Sequence, residues 1–126
     1  MKNPTIAVVD DHALLRKAVN YRLTGLGYDV VMEAENGQQF LEKLEKDTDS
    51  PDLCLLDINM PVMNGFETAV QLKKKWPGIK ILFFSMQNGG SYMQKARELG
   101  ADGYLCKDAS SEEFNRVLYA VLPPAV

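Results

Sequence analysis

Short apolar runs alternate with amphipathic stretches along the whole chain, and no other feature restricts its fold so tightly. The runs are Thr5–Val9, Asp29–Glu33, Asp52–Leu56, Lys80–Phe84 and Asp102–Leu105. Each is too brief for a helix. The first, third and fourth are nearly continuous in apolar residues, the pattern of strands buried on both faces of a parallel sheet. The stretches between them have legible helix ends. Leu15, Ala18, Val19, Leu23 and Leu26 share one face before Gly27. Asn36 with Gln39, Asn64 with Glu67 and Ser110 with Glu113 have capping-box spacing, and the last is expected to form a full box. Phe66, Ala69, Val70 and Trp76 form the predicted buried face of the third helix. The fourth runs from about Tyr92 to Leu99 and stops at Gly100, and Pro123-Pro124 ends the fifth. Five β-α units in succession predict an α/β protein, a (βα)5 doubly wound parallel sheet with right-handed crossovers.

The 126 residues fit one domain and leave no length for a second. With 46% hydrophobic residues the chain can offset the entropy of its own ordering, which argues against disorder. Its longest apolar runs are strand-sized, so no membrane span is expected. No basic, apolar leader opens the chain, and two cysteines, Cys54 and Cys106, make neither a disulfide scaffold nor a four-ligand zinc site. A reducing cytoplasm is the expected compartment. Fourteen basic residues against seventeen acidic give a net charge of −3, which lacks the positive field of a nucleic-acid binder.

Ligands of such sheets bind outside the carboxyl ends of the strands, where the strand order switches. There the sequence places Asp10-Asp11 after the first strand and Asp57 after the third. Carboxylates held close raise one another's pKa unless a cation relieves them, and hard oxygen ligands suit Mg²⁺. Asp10 or Asp11 alone would equally serve as a helix cap; together with Asp57 they favour a metal. Ser85 ends the fourth strand and Lys107 follows the fifth, a hydroxyl donor and a counter-charge able to bind phosphoryl oxygens. His12 reads as a helix residue rather than a ligand, and Cys54 and Cys106 as buried. Lys73, Lys74 and Lys75 read as a solvated face.

Val9-Asp10-Asp11-His12, the segment Asp57-Ile58-Asn59-Met60-Pro61-Val62-Met63-Asn64-Gly65, Ser85-Met86, and Gly100 through Asp108 together resemble the receiver domain of bacterial two-component response regulators. The resemblance covers essentially the whole chain, with its motifs in order. Asp11-His12-Ala13-Leu14-Leu15-Arg16 and Lys107-Asp108-Ala109-Ser110 resemble the NarL-type subgroup in particular. The resemblance implies the flavodoxin-like strand order 2-1-3-4-5. It implies Asp57 as phosphoacceptor, with Asp10, Asp11, Asp57 and the Asn59 carbonyl holding Mg²⁺ or Mn²⁺. Ser85 and Lys107 would contact the phosphoryl group, and Ser85 and Tyr104 would reorient as the switch. The implied partner is a sensor histidine kinase, phosphorylation would change a protein-binding surface around Tyr92, Met93 and Tyr104, and a homodimer is left open. DNA would be reached only through a LuxR-type helix-turn-helix beyond this chain. Residues 1–122 would then be the receiver and 123–126 the start of a linker or tail.

Three departures stand out. Asp108 follows Lys107 where many receivers have proline, which leaves the isomer of that bond open. Met86 is bulky where many have a small residue, and could narrow phosphodonor access. Gln87-Asn88-Gly89-Gly90 would make a mobile loop before the fourth helix. A stand-alone receiver signalling by protein contact is the alternative to a regulator fragment, and a degenerate receiver binding partners without phosphorylation is opposed by the intact acidic set. An aspartyl-phosphate phosphatase would need an acid two residues after its nucleophile, and Asn59 there cannot shuttle a proton. The protein is therefore read as a signalling domain that catalyses only its own phosphorylation and dephosphorylation.

Overall fold

All five strands are parallel, in the order β2-β1-β3-β4-β5. They are β1 (Thr5–Val9), β2 (Asp29–Ala34), β3 (Leu53–Leu56), β4 (Lys80–Ser85) and β5 (Gly103–Cys106). Between and after them run α1 (Ala13–Gly25), α2 (Gly37–Lys46), α3 (Gly65–Lys75), α4 (Gly90–Glu98) and α5 (Ser111–Val121). This computed structural model describes residues 2–125. The proposed linker start therefore falls partly outside the described residues, at Val126.

The apolar runs read as they do because both faces of the sheet are covered. Ile6, Val8, Leu53, Leu55, Leu82 and Phe84 face one layer, where Val19 and Leu23 of α1 and Phe114 and Leu118 of α5 meet them. Ala7, Val9, Cys54, Leu56, Ile81 and Phe83 face the other, against Phe40 and Leu44 of α2, Ala69 and Leu72 of α3 and Ala96 of α4. Alternate residues of one strand thus feed two cores, and no polar face is left for alternation to reveal. β2 lies at the edge and differs: the register shifts against Ile6 and Ala7, which pair with Val30 and Met32, and Val31 between them is exposed.

Helix ends follow the local chemistry with two corrections. Asn64 and Glu67 form a complete reciprocal capping box at α3. At α5 the Ser110 hydroxyl accepts from the Glu113 amide, but the Glu113 carboxylate turns to Arg116 at 2.7 Å, so only half of the expected box forms. An ion pair with a long, charged neighbour has won over the neutral amide. At α2 the Gln39 side chain accepts from Glu35, one residue before the cap. Phe66, Val70 and Trp76 of the expected α3 face are only half-buried, while Ala69 is fully so. Gly27 and Gly100, at φ 95° and 80°, take the left-handed turns that end α1 and α4. Gly89 and Gly90, expected as loop, are the N-cap and first residue of α4.

Asn64→Ala removes a box satisfied from both sides and is expected to cost about 1–2 kcal/mol. Ser110→Ala, at the half-formed box, should cost less. Paired urea denaturation curves check the order, and equal losses would contradict it.

Candidate functional site

β1 sends its chain to β2 on one side while β3 lies on its other side, so the strand order switches there and the loops after β1 and β3 part. The sheet's hydrogen bonding continues past the strand ends and fixes the residues in that crevice. The Asp57 amide donates to the Val9 carbonyl at 2.9 Å, the Asp10 amide to Ala34 at 3.0 Å and the Lys107 amide to Ser85 at 2.8 Å. Side chains drawn from four strand ends are thereby set on rigid backbone.

Asp10 and Asp57 are buried, at 3% and 6% exposure, and Asp11 is exposed. Their three carboxylates place an oxygen each within 4.8 Å of one another. Lys107 Nζ stands 2.6 Å from Asp10 Oδ2 and 3.4 Å from Asp57 Oδ2. The Ile58 amide donates to Asp57 Oδ1 at 2.8 Å, and the His12 amide to Asp10 Oδ1 at 2.9 Å. Burial first, and the Asp10 charge second, push the Asp57 carboxyl up to about 6, against the opposing pull of Lys107 and the Ile58 amide. Three carboxylates against one ammonium leave the pocket short of two positive charges. Hard oxygen donors with that deficit fit a divalent cation such as Mg²⁺.

The α1 N-cap is His12, exposed and with no side-chain capping bond, so neither aspartate has that position. Ser85 is buried, and its Oγ accepts from the Gln87 amide at 3.1 Å. The half-buried Tyr104 donates its hydroxyl to the Gln87 carbonyl, so the backbone of one residue touches both side chains. Asn59 lies exposed two residues beyond Asp57. The Lys107–Asp108 bond is trans, as are all peptide bonds among the described residues. Met86 is 63% exposed and does not close the pocket. Cys54 is fully buried as expected; Cys106 is half-buried.

Two features carried too little sequence signal to find. Arg16 Nη1 reaches the Asp10 carbonyl at 2.6 Å, a contact that spacing alone does not mark. Gly65 packs so tightly that a Cβ would lie 2.1 Å from the Asp57 carbonyl oxygen, with its amide donating to Ile58 at 2.7 Å. α3 can therefore start against the Asp57 loop only without a side chain there.

Between them, at Val62, φ is 69°, a left-handed conformation that β-branched residues adopt only under strain. Val62 is 80% exposed, so little packing is lost on replacement. Val62→Asn is expected to stabilise the chain by about 1 kcal/mol, read as a higher urea midpoint. A lower midpoint would show that the loop draws stability from this valine.

A buried acidic pocket with its own lysine, set at the switch point of a flavodoxin-like sheet, defines a phosphoacceptor signalling domain rather than a conventional enzyme. The chain belongs to the response regulator receiver domain family, whose model matches residues 6–119. It is 43% identical over 117 residues to the nitrate/nitrite response regulator protein NarL of Escherichia coli K12, a match covering 91% of this chain and 53% of that protein. The chain thus spans about half the length of that relative. Among solved structures, a LuxR-family two-component response regulator from Aurantimonas sp. SI85-9A1 superposes with a TM-score of 0.87 at 28% identity, covering 97% of this chain and 86% of that one. TrrA of Thermotoga maritima, solved in complex with Mg²⁺ and beryllofluoride, gives 0.81 at 30% identity, covering 94% and 99%. No helix among the described residues is long and apolar enough to cross a membrane.

Proposed function

We propose that this domain accepts a phosphoryl group from a sensor histidine kinase on Asp57 and relays the change through Ser85 and Tyr104. The observation that carries the reading is Asp57 itself: a buried carboxylate at the switch point, 3.4 Å from Lys107 Nζ and crowded by Asp10 and Asp11. Burial strips water from the nucleophile, and the Ile58 amide at 2.8 Å leaves one carboxylate oxygen committed and the other to attack phosphorus. That attack forms the aspartyl phosphate as the bond to the donor's imidazole breaks, its electron pair leaving with the donor. Lys107 sits where it can meet the charge on the transferring phosphoryl oxygens, the main contribution a protein makes to this chemistry. Asp10, Asp11, Asp57 and the Asn59 carbonyl would hold Mg²⁺, which when bound supplies the missing positive charge.

Ser85 would then leave the Gln87 amide for the phosphoryl group, and Tyr104, bonded to the carbonyl of the same residue, would follow. Two new charge-assisted bonds of roughly 1.5 kcal/mol each amount to about 3 kcal/mol, which shifts a two-state equilibrium on the order of a hundredfold. The surface that responds includes Met93 of α4 and Tyr104, beside a cleft of about 200 Å³, and is the proposed face for a second copy of the domain. Likeness to NarL and to a LuxR-family regulator supports a parent transcription regulator in the cytoplasm, with residues 1–122 as its receiver and the following residues opening a linker to a DNA-binding domain.

Incubating the purified chain with Mg²⁺ and acetyl phosphate tests the proposal. Intact mass is expected to rise by one phosphoryl group, and chelating the metal should abolish the gain. If no adduct forms and the phosphoryl mimic beryllofluoride also fails to bind, the phosphorylation reading falls.

A further inference from the structure

We propose that Arg16 is a positioning residue for the carboxylate pocket, holding the Asp10–Asp11 turn in the form that receives a divalent cation. This rests on the Mg²⁺ reading of the pocket given above. Arg16 lies in the first turns of α1, with its side chain only 14% exposed. Its Nη1 donates to the Asp10 backbone carbonyl at 2.6 Å, and its Nε faces Glu33 Oε1 on β2 at 3.4 Å. β1 ends at Val9, so the guanidinium takes up a carbonyl just beyond the strand, and a charged donor makes that bond a strong one.

Asp10 is thus gripped at both ends. The guanidinium fixes its backbone, while the His12 amide at 2.9 Å and Lys107 at 2.6 Å fix its carboxylate. Asp11 follows immediately and is exposed, so its carboxylate is aimed by the backbone of this turn. Because a planar fork sets direction as well as charge, lysine is no substitute for arginine at such a site. Outer contacts that orient metal-binding groups commonly change affinity by about 10–100-fold when removed.

Charge and positioning give opposite signs here. Arg16 is a cation near an acidic pocket, so if it acted by charge alone its removal would tighten a divalent cation. If it positions the turn, its removal weakens the cation even though a repelling charge has gone. Glu33 offsets much of the arginine charge, which leaves positioning as the larger effect.

Calorimetric titration of Mg²⁺ into the metal-free chain separates the two. Arg16→Met is expected to raise the Mg²⁺ Kd about tenfold, with Arg16→Lys closer to Arg16→Met than to wild type. Hydrogen exchange at the His12 amide in metal-free protein should quicken in both variants, a readout that needs neither metal nor phosphorylation. Glu33→Gln, which leaves the Asp10 contact in place, is the charge control: it should weaken Mg²⁺ less than Arg16→Met does, with wild-type circular dichroism and His12 exchange, and a loss as large as that of Arg16→Met would overturn the positioning role. Unchanged or tighter Mg²⁺ binding in Arg16→Met, or wild-type behaviour in Arg16→Lys, overturns the positioning role while leaving the metal site standing. Failure of the wild-type chain to bind Mg²⁺ overturns the metal site itself, and this inference with it.

Discussion

Asp57→Asn is expected to take up no phosphoryl group from acetyl phosphate and, in metal-free buffer at pH 7, to be more stable than the wild-type chain. The amide is no nucleophile, so the loss of incorporation should be complete. Gain of a phosphoryl group by the variant would move the acceptor to another residue. The stability gain follows from the strained charge balance of the pocket. Folding raises the Asp57 carboxyl from its ordinary 3.8 to about 6, so the folded chain holds that proton more tightly than the unfolded chain does. Stability therefore falls as pH rises between those two values, with no penalty below the lower and the whole penalty above the upper. At pH 7 the ionised carboxylate costs about 3 kcal/mol. Asparagine keeps an oxygen for the Ile58 amide and removes the charge, so a gain of about 2–3 kcal/mol is expected, vanishing as the wild-type carboxylate protonates in acid. Urea denaturation at pH 7 and near pH 4 measures both ends. Equal stabilities at pH 7 would mean that the pocket relieves its charge without a metal. Added Mg²⁺ should close most of this gap, since a ligand at a hundred times its Kd stabilises the wild type by about 2.7 kcal/mol and has lost one of its carboxylates in the variant.

The sheet was legible because its strands are buried on both faces: the Ile6–Val9 and Ile81–Phe84 runs have no other economical home than a covered parallel sheet. The pocket was legible for a related reason. Asp10, Asp57, Ser85 and Lys107 are polar residues placed directly after apolar runs, where the chain leaves the sheet and a charge needs a purpose. What escaped the sequence depends on contacts between distant segments. The Glu113 carboxylate chose Arg116 over its own cap, an outcome of side-chain competition that spacing cannot rank. Gly65 is required by the 2.1 Å approach of a would-be Cβ to the Asp57 carbonyl, visible only once α3 is docked. Arg16 follows Asp10 by six residues and looks like a solvated helix position until the helix folds back over the strand end. The strand order likewise came from resemblance, because five β-α units in sequence fix the neighbours of no strand.

Lys107→Met should produce the largest loss of stability of any single substitution in the pocket, and Mg²⁺ should recover much of it. The ammonium lies 2.6 Å from Asp10 and 3.4 Å from Asp57, with a side chain only 10% exposed. Methionine fills a similar volume, so packing is nearly conserved and the change isolates the charge. Removing one partner of a buried pair leaves the other uncompensated, typically a cost of about 3–5 kcal/mol; here two carboxylates are left facing each other. For a chain of this length that is a fall in Tm of roughly 10–20 °C in metal-free buffer. A divalent cation brings two charges to the same oxygens, so the Mg²⁺-induced rise in Tm should be larger in the variant than in the wild type. Phosphorylation would not recover with it. The metal restores the ground-state charge balance, but Lys107 is also the group placed to meet the phosphoryl oxygens, and losing one such contact costs about 10²–10³ in rate. Stability rescued by Mg²⁺ together with slow phosphorylation would separate the two jobs of one ammonium. Full recovery of the rate at saturating Mg²⁺ would reduce Lys107 to a counter-ion, and a metal-free Tm equal to the wild type's would show that the carboxylates do not need it even for that.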